Sequence, residues 1–482
     1  MSLLLGIDVG TTATKAVLLD PDAGSVAAGE LPVRLRSPRP GYAEESTEEW
    51  WANVVALCRE LCADRDVVGV GVAGMVPCVI ALDARGAPLR PSIQQNDARA
   101  AEEIEQLRRR LAGARVLERT GSSLTQQSVG PKLLWLAKNE PETWARTAAI
   151  VGSYEFVASR LTGELFVETN WALESGLYDL EIGDWAPDLL EACETPRRLL
   201  PPVRRPHDVV GEVTPEAASA TGLRPGTPVV AGSADHVASA FAAGIVQEGD
   251  LLVKLGGAGD ILMATTQPLV DERLYLDFHL VPGRYLPNGC MAASGSVVRW
   301  FQAELSGGTS LAELDREADA AGPGAHGIVA LPYFLGEKTP INDPMARGAF
   351  VGLHLGARRG DLFRAVLESV AFGFRHHLDV FAERGHVPRR VRMTDGGSRS
   401  DTWTRIVAGA LGLPLERLSH HGGSALGAAF VAGMGVGAFR DWDQIERFIH
   451  VQDVVEPGER SAYERPYAIY RALYPALKAI GT

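Results

Sequence analysis

The chain has 482 residues, 46% of them apolar and 22% charged, an ordinary globular composition with length for roughly two to four domains. Its net charge of −13 argues against a nucleic-acid partner, and the one basic cluster, Arg108-Arg109-Arg110, falls on a predicted helix face. No apolar run approaches a membrane span and no basic, cleavable leader precedes the first strand, so a cytoplasmic protein with no membrane partner is expected.

The first predicted element is a hairpin, LLLGIDV and KAVLLD joined by the turn Gly10-Thr11-Thr12. Alternation places Asp8 on one face with Gly6 and Gly10, and Leu5, Ile7 and Val9 on the other. A carboxylate on an apolar strand is costly unless a cation meets it. Beside bare amides and hydroxyls the natural cation is Mg²⁺ carrying phosphates; otherwise Asp8 merely caps the turn. STEEWWANVVALCREL reads as an amphipathic helix, with Trp50 and Trp51 suited to a core rather than a sugar platform. Cys58 and Cys62 lie on it without a matching Cys or His pair. With Cys78, Cys193 and Cys290 they read as reduced core thiols.

DVVGVGVAGM follows as a strand. Its Gly69, Gly71 and Gly74 spell GxGxxG, but the glycines sit inside the strand and no helix follows, which excludes a dinucleotide site. DARAAEEIEQLRRRLA is a predicted helix with Asn96 as a candidate N-cap, TAAIVG a strand, and Pro196 to Pro206 a loop. The strand TPVVAGS hands over to the helix DHVASAFAAG, with Asp235 at the junction in a position that suits an N-cap. The best division of the chain lies near Gly244 to Gly249.

A second hairpin, LLVKLGGAGDILMAT from Leu251 to Thr265, then repeats the first, with a glycine turn that lets backbone amides approach phosphate oxygens. LFRAVLESVAFGFRHHLDVFAERG and TWTRIVAGALG are predicted helices, the latter opened by the glycine-rich turn TDGGSRSD. The pairs His376-His377 and His420-His421 lack a third metal ligand at useful spacing and read as packing or surface residues.

Two such hairpins, each opening one half of the chain, resemble the actin-like ATPase superfamily. GIDVGTTATK, LRPSIQQNDARA, LTGE, GTPVVAGSADHVASAFAAG, LPYFLGEKTPINDPMARGAFVGL, RAVLESVAFGFR, TDGGSRSDTW and SALGAAFVAG occur in the order seen in the FGGY carbohydrate kinases. The chain most resembles their xylulokinase branch, whose members phosphorylate ketopentoses. That resemblance implies an α/β fold of two actin-like (ribonuclease-H-like) domains, 1–245 and 246–482, with an interdomain active-site cleft. The first would hold sugar, Mg²⁺ and the catalytic base, and the second most of the nucleotide.

The resemblance implies ATP and Mg²⁺ as cofactors, a small sugar as substrate, and a homodimer. It assigns Asp235 as the base, a role that a helix N-terminus suits by favouring the carboxylate. Asp8 becomes the metal ligand. Met75, Val76, Pro77, Asn96 and Asp97 join Asp235 around the sugar. Thr11, Thr12, Lys15, Gly256 and Gly257 meet phosphates, and Gly295, Arg299, Gly397, Ser398 and Asp401 the nucleotide. On residues alone, TDGGSRSD could equally be a helix-capping turn.

The chain departs from the branch at three places. Met75-Val76-Pro77 stands where xylulokinases usually read Gln-Met-His, Gln95 where they have Trp, and Gly257 where the family's loop carries Thr. The first two change which sugar hydroxyls are satisfied. The acceptor is therefore D-xylulose, another ketose such as ribulose, a deoxy-sugar, or a polyol such as erythritol or glycerol. A reading from another class is a nucleotide-switched actin-like interaction protein. It is disfavoured because no peptide-binding module is present and Asp235 stands in a sugar-kinase setting.

Overall fold

The computed structural model describes residues 2–480. They gather into two compact units. The first comprises Met1–Val246, Leu276–Tyr285 and Gly422–Phe448, and the second the remainder. The sequence division after residue 245 puts both later segments of the first unit in the other half.

In the first unit the predicted hairpin is Ser2–Val9 and Ala13–Asp20, antiparallel, with Gly24–Pro32 added antiparallel beyond it. On the other side of Ser2–Val9, Asp66–Gly74 pairs in parallel, followed by Pro228–Val230 in parallel and Val209–Glu212 antiparallel. Nearly every residue of Ser2–Val9 is buried, because helices cover the sheet. One of these is Gly423–Gly435, which carries the SALGAAFVAG motif and crosses Ser2–Val9 and Asp66–Gly74. Its backbone lies so close that a Cβ on Gly6 would meet Ala425 O, and one on Gly71 would meet Ala428 O. Gly71 of the GxGxxG look-alike is therefore a seat for a helix.

The second unit repeats this order. Asp250–Leu255 and Gly259–Met263 form the hairpin, and Tyr285–Met291 adds antiparallel. Arg390–Thr394 and Leu415–His420 add in parallel on the other side, and His450–Val455 closes antiparallel. Its core surrounds the helix Arg359–Glu383, whose buried face includes Phe363, Val370, Phe374 and Phe381.

Several local expectations shift. The helix after Asn96 begins only at Ala101 and its cap is Ala100, so Asn96 is not its N-cap. The 196–206 segment contains a 3-10 turn at Arg197–Leu199 and a short strand, Val203–Arg204, rather than a plain loop. TPVVAGS is two strands, Pro228–Val230 and Ser233–Ala234. Trp50 is fully buried and donates to Glu45 Oε2 at 2.9 Å. His377 is buried between Gly373 O and Thr339 Oγ1, and burial drives it and His376 down to about 4 and about 3. All five cysteines are free thiols. No helix among the described residues is long and apolar enough to cross a membrane.

Candidate active site

In an open parallel sheet, ligands bind beyond the carboxyl ends of the strands, where helix N-termini and loop amides converge. In the first unit Asp8 stands at that end of Ser2–Val9. In register it faces Ala73, and Ala73 faces Ser233 on the next short strand. The row beyond is Val9, Gly74 and Ala234, and Asp235 follows at once. Asp8 and Asp235 thus belong to the same sheet edge two strands apart, about 10 Å at the usual strand spacing. Thr11 and Thr12 are exposed in the turn after Asp8, and Lys15 is its cross-strand neighbour.

Asp235 is the first residue of the helix Asp235–Ala242, whose cap is Ala234. Its Oδ1 accepts the His236 amide at 2.6 Å and lies 3.5 Å from His236 Nδ1. Among the described residues no hydrogen bond reaches Oδ2, and the side chain is 33% exposed. One oxygen is fixed and the other is open.

His236 leads into a group that sequence reasoning missed. Its Nε2 lies 2.7 Å from Asp277 Oδ2. Glu174, at the end of the helix Thr169–Glu174, brings a carboxylate oxygen within 4.8 Å of both. Asn170 pins the segment carrying Asp277, donating to Phe278 O at 3.0 Å and accepting its amide at 2.7 Å. Burial opposes charge on His236, yet Asp277 and Asp235 hold its pKa well above the usual imidazole value. Burial and the charge of Asp277 push Glu174 well above the usual carboxylate range. The 2.7 Å contact pairs Asp277 with the ring nitrogen whose protonation it favours. His236 sits beside Asp235 in sequence, but Glu174 and Asp277 are remote, and no local pattern announces them.

Other expected sugar contacts separate. Met75 is fully enclosed and its carbonyl accepts from Ser153 Oγ at 2.7 Å, so it offers no surface to a ligand. Val76 and Pro77 are buried beside it, Val76 retaining 4% exposure. Asp97 is also consumed: Arg99 Nε and Nη2 each reach its carboxylate at 2.8 Å, and the Ala43 amide reaches it at 2.6 Å. With both side chains buried, this pair fixes the loop rather than a polyol. Asn96 is exposed, and Gln95 accepts from Gln127 Nε2 at 2.8 Å.

The second unit assembles a different edge. The turn Gly256–Ala258 receives the N-terminus of the helix Gly295–Leu305: the Ser294 and Gly295 amides donate to Gly257 O and Gly256 O at 2.9 and 2.8 Å. A Cβ on Gly295 would stand 2.6 Å from Gly256 O, so only glycine permits this seat. Arg299 is exposed, forms no ion pair among the described residues, and extends a guanidinium nitrogen to within 3.2 Å of where a Gly257 Cβ would be. Gly397 packs on Leu255 and Trp403, which brings the Asp395–Gly397 turn beside the hairpin. Ser398 is buried, and its hydroxyl donates to Asp395 O at 2.7 Å, so it braces this turn. Asp401 pairs with Arg417 Nη1 at 2.5 Å, which occupies it structurally. The structure thus joins Gly256, Gly257, Gly295, Arg299 and Gly397, with Ser398 bracing the turn and Asp401 paired to Arg417 while largely exposed.

Comparison with known proteins shows the family. The model of the FGGY family of carbohydrate kinases, N-terminal domain, matches residues 3–242, and that of its C-terminal domain matches residues 253–436. The chain is 30% identical to the xylulose kinase of Escherichia coli K12, with 98% of this chain and 99% of the relative covered. The solved xylulose kinase from Rhodospirillum rubrum is 44% identical with a TM-score of 0.94, covering 99% of both chains. The ligand-bound xylulose kinase from Lactobacillus acidophilus is 25% identical with a TM-score of 0.95, again over 99% of both. On these matches the chain belongs to the FGGY family of carbohydrate kinases and is a sugar phosphotransferase.

Proposed function

We propose that this enzyme transfers the γ-phosphoryl group of ATP to a ketopentose, with D-xylulose as the first candidate and Asp235 as general base. One observation carries the mechanism: Asp235 Oδ1 accepts the His236 amide and faces its ring, while Oδ2 stays open at the carboxyl end of parallel strands. A sugar hydroxyl attacks phosphorus as its proton passes to Oδ2; the new O–P bond forms while the bond from the γ-phosphorus to ADP breaks. Phosphoryl transfer otherwise asks for alignment and charge neutralisation.

Asp8, a buried hard-oxygen donor at the same strand ends, fits Mg²⁺, which when bound would neutralise phosphate charge. Thr11, Thr12 and Lys15 flank it for the phosphates. In the second unit the Gly256-Gly257 turn, Gly295, Arg299 and Gly397 suit the nucleotide, dividing the tasks between 1–245 and 246–482. Asn96, Val76 and Pro77 are the remaining sugar-side candidates.

ATP turnover measured with D-xylulose, L-xylulose, D-ribulose, L-ribulose, erythritol and glycerol tests the reading. The highest kcat/KM is expected with D-xylulose. A higher value with another acceptor moves the substrate assignment there. Slow hydrolysis indifferent to all six sinks the kinase mechanism.

A further inference from the structure

The chain Asp277–His236–Asp235 meets the first turn of a helix whose following residues, 237–242, are buried. His236 is the second residue of its helix, where a neutral polar side chain would serve the backbone equally well. Instead a carboxylate faces each ring nitrogen, Asp277 at 2.7 Å and Asp235 at 3.5 Å. The inner end is anchored. Asp277 has a side chain only 2% exposed, Glu174 lies beside it, and Asn170 clamps the adjoining residue through two hydrogen bonds. The outer end falls on Oδ1 of Asp235, the oxygen that does not take the sugar proton.

We propose that His236, held by Asp277, is a positioning residue for Asp235: it locks Oδ1 and so turns Oδ2 toward the acceptor hydroxyl. This rests on the reading of Asp235 as the base. His236 makes and breaks no bond to substrate; the proton still ends on Asp235 Oδ2. The groups facing the imidazole are Asp235 on its own helix, Glu174 from the helix Thr169–Glu174 and Asp277 from the segment Leu276–Tyr285. Asp277 and Asp235 beside it raise its pKa above the ordinary imidazole value and so favour the form in which both ring nitrogens carry protons. When it loses a proton, one ring nitrogen can no longer donate and the attraction to both carboxylates is lost.

The test compares His236→Gln, Asp277→Asn and Asp235→Ala with the wild type across pH, using the acceptor of highest kcat/KM in the panel above. A hydrogen bond to a charged group predicts a kcat loss of about 10- to 100-fold for His236→Gln, with sugar KM moving less. The wild-type kcat should fall as pH rises through the His236 pKa, and His236→Gln should lack that limb. Asp277→Asn removes the charge that favours the imidazolium, so its limb should move to lower pH. The double variant should be little worse than His236→Gln, because both act through one element.

A purely structural role would lower Tm or kcat without moving the pH profile, and that outcome overturns the proposal. Wild-type kcat and profile in both single variants overturn it too. If Asp235→Ala is then inactive, the base assignment survives alone. If Asp235→Ala keeps near-wild-type kcat, the base assignment fails and the positioning role falls with it.

Discussion

The two hairpins share a backbone plan and carry opposite charges. In the first, the residue before the last of the leading strand is Asp8, facing Lys15 across the strands. In the second, the same place holds Lys254, facing Asp260, with the two 3.6 Å apart. Both sheets continue in the same sense: parallel strands beside the leading strand, antiparallel ones beyond the hairpin. The fold therefore supplies two equivalent strand ends, and side chains decide their chemistry. An inward carboxylate suits a divalent cation; a lysine, glycine amides and Arg299 suit phosphate oxygens. The first edge also carries Asp235 on a helix that opens directly from its strand, so the proposed base and the proposed cation ligand share one edge.

The largest effect expected is at the base. Asp235→Ala should lower kcat by about 10²–10⁴-fold, the usual worth of a general base, while ATP binding measured by calorimetry survives. Near-wild-type turnover would remove Asp235 from the mechanism and leave the first edge with a cation site only.

The charge comparison itself is broken most directly by Asp8→Asn. The side chains are near-isosteric, so Tm should hold, but losing a charged oxygen should raise the Mg²⁺ needed for half-maximal rate about tenfold or more. An unchanged Mg²⁺ titration returns Asp8 to a turn-capping role.

On the anion side, Gly257→Thr restores the hydroxyl that the family's loop carries. Its Cβ would meet only the far end of Arg299, which can shift. One added hydrogen bond of about 0.5–1.5 kcal/mol predicts a KM for ATP lowered roughly two- to tenfold, with sugar KM unmoved. A raised KM for ATP would show that this turn does not face phosphate.

The smallest effect on specificity is expected from Met75→Gln. Met75 is fully enclosed, so the amide is buried at a cost of about 1–3 kcal/mol, lowering Tm while all six acceptors keep their relative kcat/KM. A selective gain for D-xylulose would place the triplet in the sugar pocket after all.

Much of this was legible in the residues. The hairpins announce themselves through unbroken apolar runs around glycine turns, and Ser46 caps the helix Thr47–Cys62 as the pattern STEEW suggests. Asp235 is recognisable because a strand-to-helix handover is a local event. The roles of Asp97, Ser398 and Asp401 were not, since each is settled by a partner chosen in three dimensions: Arg99 with Ala43, the Asp395 carbonyl, and Arg417. Asp97 shows the difficulty. Its arginine is two residues away, but whether the carboxylate faces that arginine or a sugar depends on Glu44, Tyr42 and Trp135 gathering around Arg99.

By itself the sequence determined the element types, the duplicated hairpin order and the kinase family, because these follow from short-range periodicity and from motifs whose order survives in one dimension. Tertiary structure decided that the helix Gly423–Gly435, far along the chain, packs against the first sheet. Gly6 and Gly71 leave room there for its backbone, and a helix this uniformly small and apolar has no sequence pattern naming its partner. It also decided that Glu174 and Asp277 meet His236, three positions spread over about a hundred residues whose charges matter only once folding brings them within 4.8 Å of one another.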